Sequence, residues 1–170
     1  DPVSAYGISK LAAESLISCY SQGLGQPPTI LRLFSLYGPD QRSDMGFYKL
    51  IEQALSSKPL TITGSLHQSR RNTYIEDAVN AIVMVIENRV EGTFNVVGDE
   101  ELRLSDVVNS IVRITGHNAG LELREKRHGD QMSTNGSNAK IKHATGWAPK
   151  TLFSDGIMEQ IKWQKGLLRG

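Results

Sequence analysis

The chain has 170 residues, 39% hydrophobic and 22% charged, with 16 Gly and 6 Pro, a soluble globular composition that excludes a disordered or fibrous chain. Nineteen basic residues stand against 18 acidic ones, and a formal charge of +1 offers no general field for nucleic acid or an anionic membrane. The longest apolar run, Ala81–Ile86, is far short of the roughly 20 residues a spanning helix needs, and the opening Asp1-Pro2-Val3-Ser4 has neither a basic start nor an apolar block.

In chain order, helices alternate with short strands. Ile8, Leu11, Ala12, Leu16 and Tyr20 recur at helical steps and predict a helix over 5–22, ended by Gly23, Gly25 and Pro27-Pro28. Thr29–Phe34 reads as a strand, with Tyr37-Gly38-Pro39 as the turn after it. Asp44 is placed to cap a helix whose Phe47, Leu50, Ile51, Ala54 and Leu55 form one apolar stripe, and Pro59 stops it. Leu60–Thr63 is a short strand, and residues 64–72 are a polar loop. A helix over 76–88 should bury Val79, Ile82, Val83 and Ile86, and a strand follows over Thr93–Val97. Ser105-Asp106 opens a helix that Gly116 closes, Leu121–Arg124 is a strand, and a second polar loop carries Arg127-His128-Gly129-Asp130. A short helix ends at Gly146, before Trp147-Ala148-Pro149. Ser154-Asp155 should cap the last helix, with Ile157, Met158, Ile161 and Leu168 inward. Cys19 stands alone and the four His are scattered, so the expectation is a cytoplasmic protein with neither a disulfide nor a protein-bound metal.

Tyr6-Gly7-Ile8-Ser9-Lys10 is the most informative stretch. A Tyr and a Lys four residues apart share one helix face. A phenol with an ordinary pKa near 10 must move by about three units, or roughly 4 kcal/mol, to serve as a base near neutral pH. A neighbouring ammonium supplies part of that shift and a cationic oxidised nicotinamide supplies more. Such a pair suits removal of a hydroxyl proton while hydride leaves the same carbon. Taken as bare helical spacing, most such pairs are solvated surface contacts. Arg70-Arg71 reads either as anion ligands or as a solvated loop pair, and Arg127 and Asp130 either as ligands or as partners of each other. Arg32, on a strand, is expected to be an ion-pair partner, and Trp147 to pack in the core.

Pro2-Val3-Ser4-Ala5-Tyr6-Gly7-Ile8-Ser9-Lys10, with Leu11-Ala12-Ala13-Glu14, resembles the active-site segment of the extended short-chain dehydrogenase/reductases. Within them it is similar to the NAD-dependent epimerase/dehydratase family, which acts on nucleotide sugars. Ile30–Pro39, Gln68-Ser69-Arg70 with Thr73–Asp77, Phe94–Gly98, Arg127–Asp130 and Gly146–Pro149 continue the likeness in order over nearly the whole chain. The resemblance implies an α/β fold: a truncated Rossmann-like parallel sheet, residues 1–40 and 72–100, plus a small α/β substrate-binding region, residues 41–71 and 101–170. It implies Tyr6 as general base and acid. Lys10 would hold the nicotinamide ribose of NAD, and Leu33, Phe34, Ser35 and Leu36 would border the nicotinamide. Thr61 and Thr63 would lie beside the nucleobase, with Ser35, Arg70, Arg127 and Asp130 on the rest of a nucleotide-diphosphate sugar. It also implies a homodimer through the Tyr–Lys helix, with no nucleic acid and no membrane.

Some positions depart from that family. Ser35 replaces a common Asn, Arg71 and Asn72 replace an acidic residue and an aromatic, and Ser137 replaces an Asp. These bear on which sugar is bound and on full activity. No G-x-x-G-x-x-G turn for a pyrophosphate occurs in these 170 residues. The chain is therefore expected to be the C-terminal part of a longer enzyme, inactive alone and weak toward NAD. A short-chain reductase of a non-sugar carbonyl, and a non-catalytic nucleotide-binding relative or inert fragment, are the competing readings.

Overall fold

The computed structural model describes Pro2, residues 4–125 and residues 132–168. Ser4 starts α1 (Ala5–Leu24) by accepting the Gly7 amide on its hydroxyl at 3.1 Å, and Gly25, at φ 65°, ends it. The chain then enters β1 (Thr29–Leu33), which pairs in parallel with β6 (Gly92–Val96), Ile30 opposite Thr93 and Leu33 opposite Val96. Immediately beyond, β2 (Leu36–Tyr37) pairs in parallel with β5 (Thr73–Tyr74), which leads into α3 (Ile75–Glu87). The rest is a second mixed unit. It holds α2 (Gly46–Leu55), β3 (Leu60–Thr63) in parallel with β8 (Leu121–Arg124), and α4 (Leu104–Thr115). It also holds β4 (Ser69–Arg71) between an antiparallel β7 (Glu101–Arg103) and a parallel β9 (Ser133–Thr134), then α5 (Ala139–Thr145) and α6 (Phe153–Leu167). This is the expected α/β architecture, with parallel pairing where the Rossmann-like strands were anticipated.

Apolar side chains gather in two cores. One joins α2, β3, α4 and α6 through Leu50, Ile51, Ile62, Ile111, Ile157 and Ile161, with Tyr37 and Tyr74 at its edge. The other joins α3, β6 and α5 through Ala81, Val85, Phe94, Val96 and Ile141, and is closed by Trp147, a core residue as expected. Between them Gly98 passes so close to Asn72 that a Cβ would stand 2.1 Å from its carbonyl oxygen.

Five local expectations are corrected. The polar stretch 64–72 contains β4, because pairing with β7 and β9 on either side satisfies its backbone. Asp44 does not cap α2; Met45 occupies that position, and the Asp44 carboxylate is held by Arg42 at 2.9 and 2.5 Å. Ser154 and Asp155 lie inside α6, whose first amide, that of Phe153, donates to Glu100 at 2.9 Å. Met158 and Leu168 are exposed, since the buried face runs Phe153, Gly156, Ile157, Gln160, Ile161, Gln164. The largest correction is α3: Val79, Ile82, Val83 and Ile86 face outward, Ile86 being 68% exposed. The side that packs carries Ala78, Ala81 and Val85, whose small side chains let the helix approach Phe94 and Trp147 closely. Among the described residues no helix is long and apolar enough to cross a membrane.

Candidate functional site

Tyr6 lies in the first turn of α1 and Lys10 in the next. The Lys10 ammonium sits over the Tyr6 ring, 5.3 Å from its centroid, so the pair that the spacing predicts is formed. Tyr6 is 72% exposed. No residue of α1 is buried; a bidentate pair from Arg32 of β1 to Glu14, at 2.7 and 2.6 Å, ties the helix down. Arg32 is thus the ion-pair partner anticipated. Its hydrogen bonds hold the Glu14 carboxyl below the usual carboxylate range.

Strand β1 runs on through Phe34, whose amide donates to Val96 at 3.1 Å, and Ser35, whose carbonyl accepts from Thr73 at 3.0 Å. This extension brings Leu33, Phe34, Ser35 and Leu36 to the same cleft as Tyr6, a space of about 550 Å³ walled on its other side by Gly38–Arg42 and Met45. Lys10 is not part of its lining. A second tyrosine, Tyr37, borders the cleft, but burial pushes its phenol far above the ordinary value, with Glu100 and Asp77 adding to the effect. It stays a neutral phenol and is no candidate base.

A second cleft, about 620 Å³, opens between α2, β3, β4 and α4. Thr61, Thr63 and Arg70 all line it, together with Lys49, Gln53, Asn72 and Arg124. Gln53 fixes Thr61, accepting its amide at 3.0 Å and donating to its hydroxyl at 3.1 Å, while Arg70 Nη1 donates to the Ser69 carbonyl at 2.8 Å. Among the described lining residues, three cationic side chains, Lys49, Arg70 and Arg124, stand with one carboxylate, that of Asp44; Arg124 is also paired with Glu122 at 3.1 Å. The cleft therefore favours an anion. The two clefts meet at the Arg42–Asp44 pair: Arg42 lines the first and Asp44 the second.

The structure thus brings Tyr6 together with Leu33–Leu36, and Thr61 with Thr63 and Arg70. Ser35, anticipated on both cofactor and substrate, falls in the Tyr6 cleft alone. Arg127 and Asp130 lie outside the described residues. Arg42, Lys49, Asn72 and Arg124 were not singled out as ligands from the sequence. The charged run Asp40-Gln41-Arg42-Ser43-Asp44 directly after a Gly-Pro turn was the available signal for the first of them. Among the described residues no group of three or more His, Cys, Asp or Glu gathers to hold a metal ion. The Tyr6 cleft, with an exposed phenol against Leu33 and Phe34, fits the nicotinamide end of NAD, while the sequence offers no glycine-rich turn for its pyrophosphate.

A model of the NAD dependent epimerase/dehydratase family matches residues 1–97. The uncharacterized UDP-glucose epimerase YtcB of Bacillus subtilis is 39% identical over 171 residues, covering 99% of this chain and 54% of that protein. A UDP-glucuronate 4-epimerase of Thermodesulfobacterium geofontis is 26% identical, with 96% of this chain and 51% of that one covered. The crystal structure of UDP-glucuronic acid 4-epimerase from Bacillus cereus, in complex with UDP-glucuronic acid and NAD, superposes with a TM-score of 0.94 at 34% identity, over 98% of this chain and 54% of that one. The chain spans about half the length of the curated relatives it matches.

Proposed function

Since the chain belongs to the NAD dependent epimerase/dehydratase family, we propose that it carries the Tyr–Lys helix and the nucleotide-sugar site of an NAD-dependent epimerase or dehydratase. The observation that carries this reading is the adjacency of the two clefts. An exposed phenol borders one, three cations line the other, and the Arg42–Asp44 pair joins them. A sugar on a diphosphate tether has the matching shape: a neutral hydroxyl end, then an anion, then a base.

In this reading the diphosphate lies against Arg70, and Arg127 and Asp130 are its further ligands and those of the ribose, as the family likeness implies. The base lies beside Thr61 and Thr63. The sugar projects past Arg42 and Ser35 toward Tyr6, which takes the proton from a sugar hydroxyl and later returns it. Lys10 holds the cofactor's ribose hydroxyls, and Leu33–Leu36 border the nicotinamide. Bound NAD supplies the hydride acceptor and donor that these residues do not. Arg42 favours an acidic sugar where a hexuronate carboxylate takes the place of Asp44 in its guanidinium fork, which matches either carboxylate. The relatives named for UDP-glucuronate support that choice. The second cleft has no use in the reduction of a small non-sugar carbonyl.

Residues 1–40 and 72–100 form the cofactor side in this proposal, and residues 41–71 and 101–170 the substrate side, with α5 and Trp147 reaching across to the first. The outward apolar residues of α1, among them Ile8, Leu11 and Leu16, support a homodimer through that helix.

A thermal-shift series tests the site. A ligand at a hundred times its dissociation constant stabilises by about 2.7 kcal/mol. For a chain of this size that raises Tm by roughly 5–10 °C. UDP and UDP-glucuronate should each do so, and Arg70→Ala should remove most of the rise. An equal rise in Arg70→Ala, or none with either ligand in the wild type, refutes the reading.

A further inference from the structure

Helix α6 lies at the far end of the chain from Tyr6, yet one of its side chains reaches the wall of the Tyr6 cleft from behind. Gln160 is 0% exposed, a place where an amide survives only if its polar atoms are all partnered. Its Oε1 accepts from the Gly38 amide at 2.9 Å, and its Nε2 donates to Gln41 Oε1 at 2.7 Å. Gln41 in turn donates to the Leu36 carbonyl at 2.7 Å and accepts from the Tyr48 amide at 2.9 Å. Two glutamines therefore grip the segment 36–41 at both ends and join it to α2. One turn along α6, Gln164 donates to the Tyr48 carbonyl at 3.1 Å. One turn back, Gly156 lets the helix come so near that a Cβ would stand 2.8 Å from Tyr37 Oη.

The segment has reason to need this grip. Gly38 (φ 132°) and Asp40 (φ 61°) both occupy the left-handed half of backbone space, which for Asp40 costs energy that neighbouring bonds must offset. An apolar residue at position 160 would fill the helix face as Ile157 and Ile161 do. An amide there is at once an acceptor for Gly38 and a donor for Gln41.

We propose that Gln160 is a positioning residue for the sugar end of the site: through Gly38 and Gln41 it sets the segment that carries Arg42 opposite Tyr6. Gln160 lines neither large cleft and touches no ligand itself. The inference rests on the nucleotide-sugar reading and adds to it that α6 governs how the sugar is held, separately from the diphosphate.

The test compares the wild-type chain with Gln160→Met and Gln164→Met. Calorimetry measures the affinity for UDP and for UDP-glucuronate, and NMR hydrogen exchange follows the Gly38 amide. The wild type is expected to bind UDP-glucuronate more tightly than UDP. Gln160→Met should bind UDP nearly as before but lose about fivefold of the sugar's advantage, the effect of about one lost hydrogen bond. Its Gly38 amide should exchange at least about tenfold faster, the signature of local opening. Of the partners of Gln160, Gln164→Met removes only a long second acceptor of Nε2, at 3.5 Å, and leaves the bonds of Gln160 to Gly38 and Gln41, so it should keep both the sugar advantage and the Gly38 protection. Should Gln160→Met not fold, Gln41→Met cuts the Gln160–Gln41 link together with the bonds to Leu36 and Tyr48 and leaves the Gly38 bond; loss of the sugar advantage with UDP affinity kept is then the expected readout, and an unchanged advantage overturns the proposal. An unchanged sugar advantage with unchanged Gly38 protection overturns the proposal, as does an equal loss of UDP affinity. A wild-type chain that binds no UDP refutes the nucleotide-sugar reading itself; unchanged Gly38 exchange in Gln160→Met would then remove the tether as well.

Discussion

Asp77 is the buried carboxylate among the described residues, and its removal should cost several kcal/mol. It is 4% exposed, on the packed side of α3. Its two oxygens accept the backbone amides of Lys150 and Thr151, each at 3.1 Å, while its main-chain carbonyl accepts from the Trp147 indole at 3.0 Å. One residue thereby holds the stretch that leads into α6. A hydrogen bond to a charged group contributes about 1.5–3 kcal/mol, and Asp77→Ala removes the acceptor of two part-buried amides. The expected loss is about 3–5 kcal/mol, or roughly 10–15 °C in Tm for a chain of this length. Asp77→Asn keeps one acceptor and turns an NH₂ toward the second amide, so about half the loss should remain. The indole bond goes to the backbone and survives both changes. Urea unfolding followed by tryptophan fluorescence gives the free energies, and the Trp147 indole resonance checks that its bond persists. A loss below about 1 kcal/mol in Asp77→Ala would show that water replaces the carboxylate and that this clamp is not what secures the approach to α6.

Three further outcomes follow from the same geometry. Calorimetry of the 170-residue chain should detect no micromolar NAD affinity, because Tyr6 and Leu33–Leu36 are present while a pyrophosphate turn is absent from the sequence; a micromolar constant refutes this. The Glu14–Arg32 pair should give α1 an acid-sensitive attachment. The carboxyl is lowered from 4.5 by Arg32, so its contribution is complete above that value and fades as pH falls through the lower folded one. With both side chains partly in water, the effect should stay within about 1 kcal/mol. Amide exchange in α1 should rise on acidification in the wild type and not in Glu14→Gln; an equal rise in both removes the pair from the explanation. Light scattering should find self-association at micromolar concentration that Leu11→Glu abolishes, whereas a clean 18.7 kDa monomer unaffected by that change refutes the α1 interface.

Much of this protein is written in short-range pattern. The spacing of Tyr6 and Lys10, the strands Thr29–Leu33 and Leu60–Thr63, and the glycines that end α1, α4 and α5 depend on contacts within a few residues, where helix and strand periods operate directly. The family likeness over residues 1–97 was legible for the same reason, since it resides in contiguous motifs. Tertiary structure alone decided the rest. Helix α3 carries two apolar stripes, and its local pattern does not say which meets a sheet; the small side chains of Ala78 and Ala81 decide it by allowing close approach. Nor does local pattern announce that two separate clefts share the Arg42–Asp44 pair as their boundary. Gln160 and Asp77 mark the limit most clearly. Each is a polar residue on a buried helix face, a choice that periodicity treats as an error. Each is stable there because its partners, more than 70 residues away in one case and more than 115 in the other, arrive only when the chain has folded.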